Sequence, residues 1–259
     1  MHAMRPLLPG THPPWVIAHR GASAERPENT RAAFDLALKA GPEAIELDLQ
    51  RARDGVPVVW HDRTLRKAGL PRRRVAGLTR AELSALDAGG WFGPAFAGER
   101  IPTLEAVLDG YGGRLDLMLE IKLRGGRRSA AGHRALARDV AARVAGRGLT
   151  DRTFLLCFGL EVLEAARERV PEARCVWNLD AAPRLTAALK RRIAPLAALC
   201  LNVRALTPAF VDRVHGLGKP VLTFTCDTPR DVARALAAGA DGIITDRPAW
   251  LRDRLGAAA

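Results

Sequence analysis

Residues 115–158 contain LDLMLEI (Leu115–Ile121), HRALARDVAARVAGR (His133–Arg147) and TFLLCF (Thr153–Phe158) in that order. Two short apolar runs flank an Ala-rich stretch of helical period, which predicts strand, helix, strand. A helix between two strands brings them side by side and parallel. The same alternation continues both ways. Apolar runs at Trp15–Ala18, Ala44–Leu49, Ala173–Asn178, Ala198–Val203, Pro220–Thr225 and Gly242–Thr245 bring the predicted strands to eight. Helical stretches such as Thr30–Ala40, Leu160–Arg169 and Pro208–Leu217 lie between them. Eight such units in 259 residues predict an α/β fold, a (β/α)8 TIM-type barrel. A doubly wound sheet is the runner-up, but no Gly-rich phosphate fingerprint follows the first strand.

Two features interrupt the alternation. Asp54-Gly55 stands between the second strand and the run Val56–Trp60, a hairpin signal. Folding about that dipeptide pairs residues whose numbers sum to 109 and brings His61 level with Asp48. The next stretch, residues 62–102, is too long for a plain loop and predicts a small insertion over the barrel mouth after the second barrel strand. Within it Leu78–Leu86 predicts a short helix with Thr79 as N-cap, and Trp91-Phe92 an apolar wall. Residues 1–259 then form one barrel domain carrying that insertion.

Hydrophobic residues make up 48% of the chain, enough for a large core. The longest apolar stretches, such as 194–203, are too short for a transmembrane segment. The leader MHAMRPLLPGTHPPW is broken by prolines and lacks a signal-peptide pattern, so a cytoplasmic location is expected. Formal net charge is +12, yet the basic residues are mostly Arg scattered along the helices. The dense runs are Arg72–Arg74, Lys190–Arg192 and the loop Arg124–Arg128. No nucleic-acid partner is expected, since a footprint should cluster on one face; the positive field instead suits a small anionic substrate. Cys157, Cys175, Cys200 and Cys226 match no zinc or disulfide spacing, so buried free thiols are expected. Oligomeric state leaves no signal.

Chemistry in a β/α barrel belongs at the carboxyl ends of the strands. The first strand ends in His19-Arg20-Gly21, the second carries Glu46-Leu47-Asp48, and the third Glu120-Ile121-Lys122. Alternation puts Glu46 with Asp48, and Glu120 with Lys122, on inner faces, while Leu47 and Ile121 face the helices. Three converging carboxylates repel one another. A hard divalent cation resolves this, and oxygen ligands favour Mg²⁺ or Ca²⁺. One such carboxylate can be a plain salt-bridge partner; the pairs on neighbouring strands are hard to explain as packing. His19 and His61, brought to the mouth, can supply acid and base. His2, His12, His133 and His215 lie in the leader or on helices and read as structural. Arg20 and Lys122 add positive charge suited to phosphoryl transfer.

The segments IAHRGASAERPENT (17–30), AIELDLQ (44–50), VVWHD (58–62), ERIPTLEAVL (99–108), LEIK (119–122) and GADGIITDRP (239–248) occur in that order. Together they resemble the glycerophosphodiester phosphodiesterase family over about residues 15–252. The resemblance implies metal-dependent hydrolysis of glycerophosphodiesters to an alcohol and glycerol 3-phosphate. It implies Glu46, Asp48 and Glu120 as ligands of one divalent cation, Mg²⁺ or Ca²⁺. His19 and His61 would be the acid–base pair, with Arg20 and Lys122 on phosphate. Asn29 of the PENT motif would lie at the site, although an Asn before a helix is also an ordinary N-cap. The chain departs from the family pattern at Cys157-Phe158, at Phe224-Thr225-Cys226-Asp227, and after Asp62, where it reads RTLRKAGLPRRR. These departures alter the pocket walls and leave the leaving alcohol open. A lysophospholipase D-type activity would need an apolar groove, for which Trp91, Phe92 and Phe96 are the candidates. An inactive, polyanion-binding barrel is the third reading.

Overall fold

A computed structural model describes residues 7–124 and 129–256. His2 and most of the basic run at 124–128 therefore lie outside the described residues. The strands are β1 (Trp15–His19), β2 (Ala44–Arg51), β3 (Pro57–Val59), β4 (Asp116–Ile121), β5 (Thr153–Cys157), β6 (Arg174–Leu179), β7 (Ala198–Asn202), β8 (Val221–Phe224) and β9 (Gly242–Thr245). The helices are α1 (Arg31–Ala40), α2 (Arg80–Ser84), α3 (Leu104–Tyr111), α4 (Ala130–Ala145), α5 (Leu160–Arg169), α6 (Ala187–Ile193), α7 (Pro208–His215), α8 (Pro229–Ala238) and α9 (Pro248–Gly256). All strands but β3 run parallel, and β1 bonds to both β9 and β2, which closes the eight-stranded barrel.

Two apolar layers follow from the period of two along each strand. Ile45, Leu47 and Leu49 of β2 and Leu117, Leu119 and Ile121 of β4 point outward onto helix residues such as Phe34, Leu104 and Val140. Trp15, Met118, Phe154, Cys200 and Ile244 point inward and fill the barrel interior. Burying each large side chain stabilises by about 1.5–3 kcal/mol, so both layers hold the strands in register. Most helix starts are set by threonine; α4 and α5, after Ser129 and Gly159, have no side-chain cap. Thr30, Thr103, Thr186, Thr207 and Thr228 each accept a backbone N–H three residues on, so the chain turns into a helix at a defined point after each loop.

The hairpin differs from the expected register by one residue. Leu49 pairs with Val59, Gln50 with Val58 and Arg51 with Pro57, a sum of 108 rather than 109. The loop has three residues, closed by the Ala52 N–H donating to the Val56 carbonyl at 2.9 Å, with Gly55 in the left-handed region at φ 87°. Trp60, not His61, therefore stands opposite Asp48, and its N–H donates to the Asp48 carbonyl at 2.9 Å. Beyond it, residues 62–102 form turns, α2 and a loop returning to α3. Thr79 caps α2 in a reciprocal pair with Glu82, though the helix ends at Ser84. This segment has its own core of Ala52, Val58, Trp60, Leu65, Val75, Leu78, Leu83, Ala88 and Ile101.

At the start of β4, Asp116 is buried (4% exposed) with Arg152 Nε 3.4 Å away. Burial pushes its carboxyl up to about 6, against the pull of Arg174 and Arg152. The folded state then holds this proton more tightly than the unfolded chain does. Its contribution is fully present below about pH 4 and is lost as pH rises through 6. Asp116→Asn is expected to stabilise by about 1–3 kcal/mol at pH 8 and much less at pH 4. Equal shifts in Tm at both pH values would rule out this account.

Candidate active site

The chain leaves β1 through a strained turn. Arg20 and Gly21 are both left-handed, at φ 55° and 84°. A Cβ on Gly21 would come 2.6 Å from the Ala33 carbonyl carbon, so only glycine lets the loop lie on α1. The turn aims the Arg20 N–H at Glu46 Oε2, 3.2 Å away. Asn29, also left-handed at φ 60°, donates its own N–H to the Arg20 carbonyl at 3.0 Å. Its side chain donates to Asp48 Oδ2 at 2.7 Å and accepts the Asp48 N–H at 3.2 Å. Thr30, not Asn29, caps α1, so the strain at Asn29 is held by the site.

Register then assembles the carboxylates. His19 is level with Glu46 across β1–β2, and Asp48 with Glu120 across β2–β4. Glu46, Asp48 and Glu120 are all buried, and each offers an oxygen within 4.8 Å of the other two. Lys122 Nζ bridges Glu120 Oε1 at 2.7 Å and Asp48 Oδ1 at 3.1 Å. Arg20 Nε lies 3.1 Å from Asp48 Oδ2, and its Nη1 3.0 Å from Glu28 Oε2. Both cations thus rest on carboxylates at the mouth. Burial, with the Asp48 charge alongside, pushes Glu46 up to about 8. Burial would raise Asp48 too, but Lys122 and Arg20 hold it well below the usual carboxylate range. Glu46 Oε1 is buried with no hydrogen-bond partner among the described residues. An orphaned oxygen beside two further carboxylates fits a metal ion, and this triad can hold one. A second acidic group, Glu28 with His61 and Asp62, is already served by Lys67, 2.8 Å from Glu28 and 3.4 Å from Asp62.

Both expected histidines reach the mouth, and each is held by a carboxylate at Nδ1. His19 Nδ1 is 2.6 Å from Asp246 Oδ1, and its Nε2 is 3.9 Å from Glu46 Oε2. His61 Nδ1 is 3.0 Å from Asp62 Oδ1. Burial lowers His19, but the Asp246 hydrogen bond and nearby acids more than reverse it, so the group stands above its ordinary value. Burial lowers His61, and the charges of Arg20 and Lys122 add to that. His133 accepts the Arg124 N–H at 2.9 Å and His215 pairs with Asp241 at 2.7 Å, both away from the carboxylates.

Sequence reasoning assigned no role to three residues. Asp246, at the end of β9, orients His19; its Oδ1 also accepts from Ser23 Oγ at 2.8 Å. Asp227 fixes it in turn, accepting the Asp246 N–H at 2.7 Å. An acid at the carboxyl end of the last strand was the available signal. Asn178 of β6 donates to Glu120 Oε2 at 3.3 Å. The four cysteines are free and buried, as expected. Cys157 at the β5 end is pushed up to about 12 by burial.

Fold and site together define a phosphoric diester hydrolase on a β/α barrel: buried acids that can hold a cation, two oriented imidazoles and fixed positive charge at one strand end. Comparison with known proteins agrees. The glycerophosphoryl diester phosphodiesterase family model matches residues 19–250, and the chain belongs to that family. It is 32% identical over 238 residues to the glycerophosphodiester phosphodiesterase of Caldanaerobacter subterraneus, covering 91% of this chain and 95% of that one. Among solved structures, a protein from Silicibacter pomeroyi superposes with TM-score 0.82 at 33% identity, covering 95% of this chain and 94% of that one. An Oleispira antarctica phosphodiesterase in complex with the product sn-glycerol-3-phosphate superposes with TM-score 0.78 at 29% identity, covering 94% and 97%. Among the described residues, no helix is long and apolar enough to cross a membrane.

Proposed function

We propose that this glycerophosphodiester phosphodiesterase is metal-dependent and uses His19 and His61 as its acid–base pair, releasing an alcohol and glycerol 3-phosphate. The observation that carries the reading is the buried Glu46–Asp48–Glu120 set with its unpartnered Glu46 oxygen. One divalent cation there, Mg²⁺ or Ca²⁺, would supply Lewis-acid stabilisation of the phosphoryl oxygens. Arg20 and Lys122 add charge where the diester's negative charge grows. Each imidazole, with Nδ1 held by Asp246 or Asp62, keeps Nε2 for proton transfer. One takes a proton from the attacking oxygen, and the other gives a proton to the departing alcohol oxygen. Over the full reaction water adds across the bond between phosphorus and that oxygen. Four buried free thiols support a cytoplasmic place of action. An acyl-bearing substrate is less well served. Trp91, Phe92 and Phe96 pack edge to face on one another, with Lys67 over Trp91 and Arg26 over Phe96.

The test is release of glycerol 3-phosphate from glycerophosphocholine with Mg²⁺, Ca²⁺ or EDTA. Turnover with a divalent cation that stops in EDTA and returns on re-addition is expected. Undiminished turnover after chelation and dialysis would defeat the metal assignment.

A further inference from the structure

We propose that a cavity beside the mouth binds an anionic group carried by the leaving alcohol, so that diesters of acidic alcohols are preferred. This deepens, and rests on, the hydrolase reading above. The cavity, about 340 Å³, lies between the β2–β3 hairpin and the start of α4. Its lining includes Gln50, Arg51, Arg53, Lys122, Arg124 and His133, and among the described lining residues none is acidic.

Four observations point to an anion on an arm of the substrate. Lys122 is shared: it lines the cavity while its Nζ touches Asp48 and Glu120. Gln50 lies two residues beyond Asp48 on the same face of β2, about 7 Å along the strand, comparable to the span of a short alcohol between two phosphates. Arg124 turns its Nη2 to the His61 carbonyl, while its Nε is buried with no hydrogen-bond partner among the described residues. A donor left so inside a basic cavity is offered to a bound oxygen. The first turn of α4 carries no acidic residue to oppose an anion.

The other side of the mouth suits a cationic alcohol poorly. Glu28 and Asp62 are paired with Lys67, and the Trp91 ring carries that same ammonium 4.5 Å from its centroid. A choline-like group would meet carboxylates and an aromatic face already engaged by a cation.

The experiment compares kcat/KM for bis(glycerophospho)glycerol, in which two diesters share one glycerol, with that for glycerophosphocholine. Hydrolysis breaks one phosphorus–oxygen bond by addition of water, giving glycerol 3-phosphate and glycerophosphoglycerol. The wild-type enzyme should favour the double diester by about tenfold at low salt, and the preference should shrink as salt screens the cavity. The double variant Arg51→Gln/Arg53→Gln, with its Tm checked, should lower the ratio of the two values about fivefold, and Arg124→Gln should lower it as well. A wild-type ratio near one, or a ratio unmoved in the folded variants, would overturn the assignment. Turnover of neither diester by the wild-type enzyme would instead overturn the hydrolase reading, and this assignment with it.

Discussion

Glu46→Gln is expected to lower kcat/KM for glycerophosphodiesters by about three orders of magnitude or more while the protein stays folded. The change keeps shape and removes one negative ligand from the proposed cation set, and the loss of a metal's charge stabilisation is worth several kcal/mol. Stability should move the other way. In the metal-free protein Glu46 faces Asp48 and Glu120 with one oxygen unpartnered, and burial holds its carboxyl near 8. A neutral amide relieves that repulsion. In EDTA the variant's Tm should therefore rise by a few degrees, since about 1 kcal/mol corresponds to about 2–4 °C in a domain this size. With saturating Mg²⁺ or Ca²⁺ the wild type should gain stability and the variant gain much less, because only a bound cation contributes. A variant that kept metal-dependent turnover within threefold of wild type would remove Glu46 from the ligand set.

The second large effect belongs to His19 and its support. His19→Ala is expected to cost about 10²–10⁴-fold in kcat, the range of one general acid or base. Asp246→Asn should cost about 10–100-fold, because the amide no longer orients the imidazole through its 2.6 Å bond to Nδ1. Asp246 acts through His19, so the two losses should not multiply. In the His19→Ala background, Asp246→Asn should change kcat by less than about threefold. The pH profile gives a separate readout. Asp246 helps hold the His19 imidazolium above its ordinary value, so Asp246→Asn should move the limb that reports His19 to lower pH. Full additivity of the two variants would show that Asp246 acts elsewhere.

Much of this arrangement was legible in the sequence because local rules agree with the fold. Strand and helix periods placed all eight barrel strands to within a residue or two. Period-two alternation aimed Glu46, Asp48 and Glu120 inward, with Leu47 and Ile121 out into the helix layer. The hairpin was off by one because Asp54-Gly55 reads equally as a two-residue turn or as the end of a three-residue loop, and only the register decides. Asn29 was undecided for a similar reason: residues 29 and 30 are both good caps, and the choice depends on Asp48, far along the chain. Asp246 was missed because its partner is 227 residues away. The positions of Arg20 and Lys122 were likewise beyond spacing. Sequence marks them as cations at strand ends, while the carboxylates they rest on are set by packing across β1, β2 and β4.

The separate core beneath residues 62–102 bears on how such enzymes diversify. Trp60, Leu65, Val75, Leu78, Leu83 and Ile101 bury one another rather than the barrel's own outer layer. Substitutions that reshape this lobe need not disturb the strands that carry Glu46, Asp48 and Glu120. The lobe and the strands that carry the carboxylates can thereby change independently of one another. A lineage can drift through many lobe sequences while the register of β1, β2 and β4, and with it the reaction centre, stays as it is.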